Sequence, residues 1–176
     1  MRFFNVMLAA LLLCLLIPCC ALGESADVSV LSPVEMAPET DGQVLDLYCG
    51  PTQGFYRHAG QTLDTGKPYV LFGQYDCWAM VAQGTPGDMG AVGWIESAAA
   101  NLPEEPLLGF DDALSAMVEE DTFLTVTPFG ESPAALCALA RGTQVLLLAQ
   151  MEGWAYVQTE IEGTPVRAFL PVSAIL

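Results

Sequence analysis

The sequence predicts an all-β fold, in which an N-terminal export signal precedes two copies of one small β module. An apolar N-terminal run is followed by small residues, and a pattern centred on Trp78 recurs around Trp154. Short segments rich in Val, Leu and aromatic residues also alternate with Gly, Pro, Asp and Asn, which is typical of strands and turns. We therefore expect two compact β units rather than a helical or α/β fold.

Residues 1–23 have the pattern of a secretory signal peptide. Arg2 supplies a positive charge, residues 6–18 form an apolar run, and small residues follow where a signal peptidase would cut. A membrane anchor is an alternative, although the run is shorter than the ~20 apolar residues of a spanning helix. A lipid anchor on Cys19 or Cys20 is another. We expect a secreted or envelope-associated protein that is not integral to the membrane after cleavage.

The chain is strongly acidic, with 21 acidic against five basic residues and a formal net charge of −16. Such a surface repels phosphate backbones, so nucleic-acid binding through counterion release is not expected. It also repels anionic lipids and anionic wall polymers. Any binding in a cell envelope must therefore depend on shaped contacts rather than on bulk charge.

The internal repeat is the main signal in the sequence. Residues 73–81 read Gly-Gln-Tyr-Asp-Cys-Trp-Ala-Met-Val, and residues 149–157 read Ala-Gln-Met-Glu-Gly-Trp-Ala-Tyr-Val. Apolar strands are predicted on both sides of each copy, at 69–72 and 92–95 for the first and at 145–148 and 167–170 for the second. The shared order and spacing indicate a duplicated supersecondary unit.

The two copies, with Val-Gly-Trp-Ile at 92–95 and Ala-Phe-Leu-Pro at 168–171, resemble the bacterial SH3 (SH3b) domain family. The opening segment 47–57, with its Gly-Pro loop, resembles the start of that domain. This resemblance implies two tandem small SH3-like β-barrels, at residues 41–97 and 119–176. It also implies a bacterial protein of the envelope or exterior that recognises cell-wall peptide or a protein segment.

The second copy departs from the family pattern at two places. Ala168-Phe169 replaces the Gly93-Trp94 pair, and Thr127-Pro128 replaces the Gly50-Pro51 pair. A ligand groove is therefore expected in the first copy, with the second serving mainly as structural support.

Three further segments complete the predicted organisation. Residues 24–40 are expected to be a flexible leader, in which residues 28–31 could pair as a strand. Residues 98–118 are expected to be an acidic, Pro-containing linker. Within it, residues 107–118 fit either a helical turn or an edge strand of the second module, and the pattern does not separate the two.

The aromatic residues of the repeats divide into two predicted groups. The first copy's long loop carries extra aromatic residues, and loops on a rigid scaffold are common binding sites. Aromatic rings also offer an extended peptide a flat contact surface. The predicted ligand-binding residues are Tyr48, Phe55, Tyr56 and Trp94. The predicted core residues are Trp78, Val81, Trp154, Val157 and Phe169.

An enzymatic role is not expected. His58 is the only histidine, and pairing it with Cys49 would give a nucleophile and base without a separate catalytic domain. No metal-ligand spacing or phosphate-binding loop is present, so no cofactor is predicted. Cys49, Cys77 and Cys137 are expected to behave as small hydrophobic residues, and a bridge between the first two stays open.

The export signal and the family resemblance together imply a secreted bacterial binding protein whose partner is a peptidoglycan peptide or an envelope protein. The alternative is a structural or scaffolding envelope protein without a dedicated ligand groove. The accessibility of the predicted ligand-binding rings separates the two hypotheses.

Overall fold

The computed structural model describes residues 28–57, 60–110, 112–129 and 135–175, and within these ranges it contains no α-helix. The predicted all-β class is confirmed. The predicted signal peptide lies outside the described residues. The strands are β1 (Ser29–Val30), β2 (Val34–Met36), β3 (Val44–Asp46), β4 (Thr62–Asp64), β5 (Tyr69–Tyr75), β6 (Trp78–Thr85), β7 (Asp88–Glu96), β8 (Leu114–Met117), β9 (Thr122–Thr125), β10 (Ala135–Leu139), β11 (Gln144–Met151), β12 (Trp154–Ile161) and β13 (Thr164–Pro171).

Two antiparallel meanders, β5–β7 and β11–β13, have matching strand pairings. The pairings of β5 with β6 from Val70 to Tyr75 recur 76 positions later between β11 and β12, with a bulge at the same place. β7 contains one further bulge, where Gly90 and Ala91 lie opposite Gln83. The adjacent Gly84 has a φ of 113°, a backbone conformation that favours glycine. After that bulge, equivalent residues of β7 and β13 are 75 positions apart instead of 76. Trp94 therefore corresponds to Phe169.

The remaining strands repeat in the same order. The hairpins β3–β4 and β9–β10 each precede a meander, and β2 pairs with β5 as β8 pairs with β11. Short 3₁₀ helices, Ser97–Ala99 and Val172–Ala174, follow the meanders. We call β2–β7 the first half and β8–β13 the second half. Residues 107–118, for which the sequence allowed either a helical turn or an edge strand, contain the strand β8.

The segments before β2 and β8 each pair with the opposite half. β1 pairs in parallel with β11, and the backbone N–H of Leu31 donates to the carbonyl of Gln150. Leu107 forms a parallel bridge with Gln74, which is 76 positions before Gln150. The expected leader and linker therefore contain paired backbone, and the side chain of Leu31 is only 3% exposed.

Alternation along the meanders produces two kinds of core. Successive strand residues point to opposite faces. In β5, Leu71 faces a core of the first half, whereas Val70 and Phe72 face a cluster shared by both halves. In β12, Val157 faces a core of the second half, and Tyr156 faces the shared cluster. The shared cluster explains why the central strands are apolar on both faces rather than alternating with polar residues.

Candidate functional site

An open hollow lies on the second half, at the start of β12 and the end of β13. Its cavity volume is about 240 Å³ and its exposed lining is mostly apolar. The lining residues are Thr122, Phe123, Thr125, Ala135, Trp154 and Pro171. We call it the apolar hollow. A concave apolar surface of this kind accommodates a side chain from a binding partner.

Trp154 is more exposed than its equivalent Trp78, and the residue that would cover it differs between the halves. Tyr48 bridges Trp94 in the first half, and Thr125 pairs with the corresponding Phe169 in the second, so the two residues are equivalent. The Tyr48 ring packs edge-on against Trp78 with centroids 5.5 Å apart, which buries that indole. Because threonine is shorter, the indole of Trp154 stays half-buried.

The first half has a hollow at the same place with a different lining. It is lined by Leu45, Asp46, Tyr48, Ile95, Glu96 and Ala99. Glu96 pairs with Trp78 as Pro171 pairs with Trp154, so a carboxylate stands where the apolar hollow has proline. Arg57 forms an ion pair with Asp46 at 2.5 Å and lies 5.9 Å from the Tyr48 ring centroid. This hollow, which we call the acidic hollow, has a volume of about 220 Å³, and its Asp46 carboxylate is already paired within the chain.

Phe123 forms the ridge of the apolar hollow. Its side chain is 58% exposed, which is unusual for a large aromatic residue in a strand. A second hollow of about 440 Å³ shares Thr122 and Phe123 and lies beside the first. We call it the Asp121 hollow. Its lining residues are Asp121, Thr122, Phe123, Ala138, Leu139 and Ala140.

The predicted ligand residue Trp94 requires a correction. Its side chain is 0% exposed, and its indole N–H donates a 2.8 Å hydrogen bond to the hydroxyl of Tyr156. Alternation in β7 places it on the face that packs against the second half. Its ring therefore offers no surface to a ligand.

The structure does not bring the other predicted ligand residues into one groove. Tyr48 lines the acidic hollow, whereas the half-buried Phe55 ring packs against Gly50 and under the guanidinium of Arg167 at 5.4 Å. Tyr56 is also half-buried, and its backbone N–H donates to the carbonyl of Pro165. The loop aromatics thus join the two halves instead of framing a shared cleft.

Of the predicted core residues, Trp78, Val81, Val157 and Phe169 are buried. Trp154 is instead half-buried, for the reason given above. The pattern around each tryptophan is nearly identical, so the local sequence could not show that one indole is covered and the other is open. The signal that distinguishes them is the tyrosine or threonine that pairs across the last strand.

Arg167 is a residue that the sequence did not single out. Its Nε donates to Oε1 of Gln158 at 2.9 Å, and its buried Nη1 has no hydrogen-bond partner among the described residues. Burial lowers the pKa of this guanidinium from its usual value. Four aromatic rings surround it, with centroids 5.0–5.8 Å from Cζ: Phe55, Tyr75, Trp94 and Phe110.

Among the described residues, no group of three or more His, Cys, Asp or Glu side chains could hold a metal ion. His58 lies outside the described residues. Cys77 and Cys137 are free thiols, so the bridge between Cys49 and Cys77 is absent, and burial raises the pKa of Cys137.

No helix in the described part of the chain is long and apolar enough to cross a membrane. No protein-family model, curated protein or solved structure matches the chain. The candidate site is therefore assigned from its geometry alone.

Proposed function

We propose that this chain is a secreted, non-catalytic bacterial binding protein made of two SH3-like modules, and that it recognises an extended peptide or protein segment of the cell envelope. The observation that carries the proposal is the apolar hollow around Phe123 and Trp154. Large exposed apolar surface rimmed by polar residues is characteristic of interaction sites. The repeated strand order supports the modular assignment, and the N-terminal sequence supports export.

The binding site is assigned to the second half. In the first half Tyr48 covers Trp78, and the two carboxylates of the corresponding hollow already contact the chain's own Arg57 and Gln53. In the second half the Phe123 side chain is 58% exposed, and Trp154 is only half-buried. An extended ligand would gain most contact area there, because aromatic rings provide flat surface at low entropic cost.

Retention on purified peptidoglycan tests this function. We expect the protein to be retained and Phe123→Ser to reduce the affinity about tenfold, as for a central interface aromatic. Leu107→Ser is the matched control because Leu107 is 73% exposed and lies outside the hollow. Loss of retention in both variants would contradict a site at Phe123.

A structural role is the second candidate, and the burial of Trp94 favours it. The two halves share one core and exchange paired segments, as expected of a rigid spacer. If the wild-type protein is not retained by peptidoglycan or by envelope protein, the structural role accounts better for this chain.

A further inference from the structure

The two hollows beside Phe123 together define the chemistry of a ligand. We propose that they bind an extended segment of another protein with an apolar residue followed two positions later by a basic residue. This inference rests on the proposed function and names the class of partner for the same site.

The geometry of an extended chain sets the spacing. Alternate residues of a strand project from the same side, about 6.6 Å apart. The apolar hollow and the Asp121 hollow share Thr122 and Phe123, so they are neighbours across one aromatic ring. Two side chains at positions i and i+2 of an extended ligand can therefore enter the two hollows while the backbone passes over Phe123.

The lining sets the polarity of each position. The first hollow offers Trp154, Pro171 and Ala135, which suit an apolar side chain. The second is bordered by the exposed Asp121, one of whose oxygens accepts the backbone N–H of Arg141 at 2.9 Å. Its other oxygen forms no ion pair with any residue that the structure describes. A ligand cation is thus complementary to this position.

The charge of the whole chain favours the same partner. The basic residues after the signal are few, and three of them are occupied within the protein. Arg57 and Lys67 form ion pairs with Asp46 and Asp64, and Arg167 lies among aromatic rings. With a net charge of −16, the protein attracts basic segments and repels acidic ones, including a second copy of itself.

Nuclear magnetic resonance of the tryptophan indole N–H groups provides the test. The chain has three tryptophans. The indole N–H of Trp94 donates to the hydroxyl of Tyr156, so its signal should not shift and serves as an internal control. The probe is a synthetic 12-residue peptide of repeated Leu-Ser-Lys triplets, and the comparison peptide has glutamine in place of every lysine.

We expect the lysine peptide to shift the Trp154 signal and to bind about threefold more tightly than the glutamine peptide, as for one exposed ion pair. Asp121→Asn should remove that preference while leaving the glutamine peptide unaffected. Phe123→Ser should weaken both peptides about tenfold. Leu107→Ser should weaken neither.

Equal affinity for the two peptides, or an unchanged preference in Asp121→Asn, would overturn the basic ligand class and leave the binding function standing. If neither peptide shifts Trp154 but retention on peptidoglycan depends on Phe123, the ligand is a wall component and this inference fails alone. If neither peptide binds and the protein is not retained, both proposals fail.

Discussion

At the scale of single residues, the exchange of tyrosine for threonine separates a covered tryptophan from a half-exposed one at equivalent positions. Tyr48 covers Trp78, and Thr125 leaves Trp154 half-exposed. The sequence pattern predicted both tryptophans as core residues. Sequence reasoning could not separate them because the deciding residue is brought close by a strand pairing far away in the chain.

Tyr48→Thr should expose Trp78 to the hollow of the first half. We expect acrylamide to quench Trp78 more strongly and the free energy of unfolding to fall by about 1–2 kcal/mol, because an edge-on aromatic contact is lost. Urea denaturation measures the second effect. Unchanged quenching would mean that Tyr48 is not what covers Trp78.

Arg167 shows that a partly buried cation can be accommodated by aromatic faces. Cation–π contacts contribute more when the cation is desolvated, but desolvation itself is costly. We expect Arg167→Met to change the free energy of unfolding by less than about 1 kcal/mol, since the apolar chain fills the same space. Arg167→Ala should cost about 2–4 kcal/mol, because it leaves a cavity.

Urea denaturation of both variants distinguishes charge from packing at this position. If Arg167→Met is as destabilising as Arg167→Ala, the guanidinium itself stabilises the contact between the halves.

At the scale of elements, the meanders were predictable and the exchanged segments were not. The repeat around Trp78 and Trp154 located β5–β7 and β11–β13, because short apolar runs bounded by turn residues have a local signature. β1 has only two residues, and its partner Ala149 lies far away in sequence. Such a pairing has no periodicity to detect, so residues 28–31 could only be noted as a possible strand.

Leu31 and Val30 provide a matched test of the first exchanged segment. Leu31 is 3% exposed and Val30 is 74% exposed. Leu31→Ala should lower the free energy of unfolding by about 2–4 kcal/mol, as for a large-to-small change in a core. Val30→Ala should change it by less than about 0.5 kcal/mol. Equal small effects would show that the segment is a dispensable leader in solution.

At the scale of the whole molecule, the shared core makes the halves dependent on each other. Phe110, from the expected linker, packs with Trp94 and Tyr156 in this core. The sequence predicted two modules joined by a linker, because of the internal repeat and the resemblance of each copy to one small domain. It could not show that the second face of each meander is also buried.

The two halves should therefore unfold together. Tyr156→Phe leaves the buried indole N–H of Trp94 without its acceptor, which costs about 1–3 kcal/mol. We expect this variant to lower one common urea midpoint, seen alike by tryptophan fluorescence and by circular dichroism. Two separated transitions would show that the halves fold independently.

The central claim is that the fold builds a hollow at the same place in each half and that only the one in the second half has a half-exposed tryptophan. Paramagnetic relaxation of the tryptophan ring signals by a soluble, uncharged agent measures this directly. We predict strong broadening for Trp154, little for Trp78 and none for Trp94. Broadening of Trp78 equal to that of Trp154, or protection of Trp154, would contradict the claim.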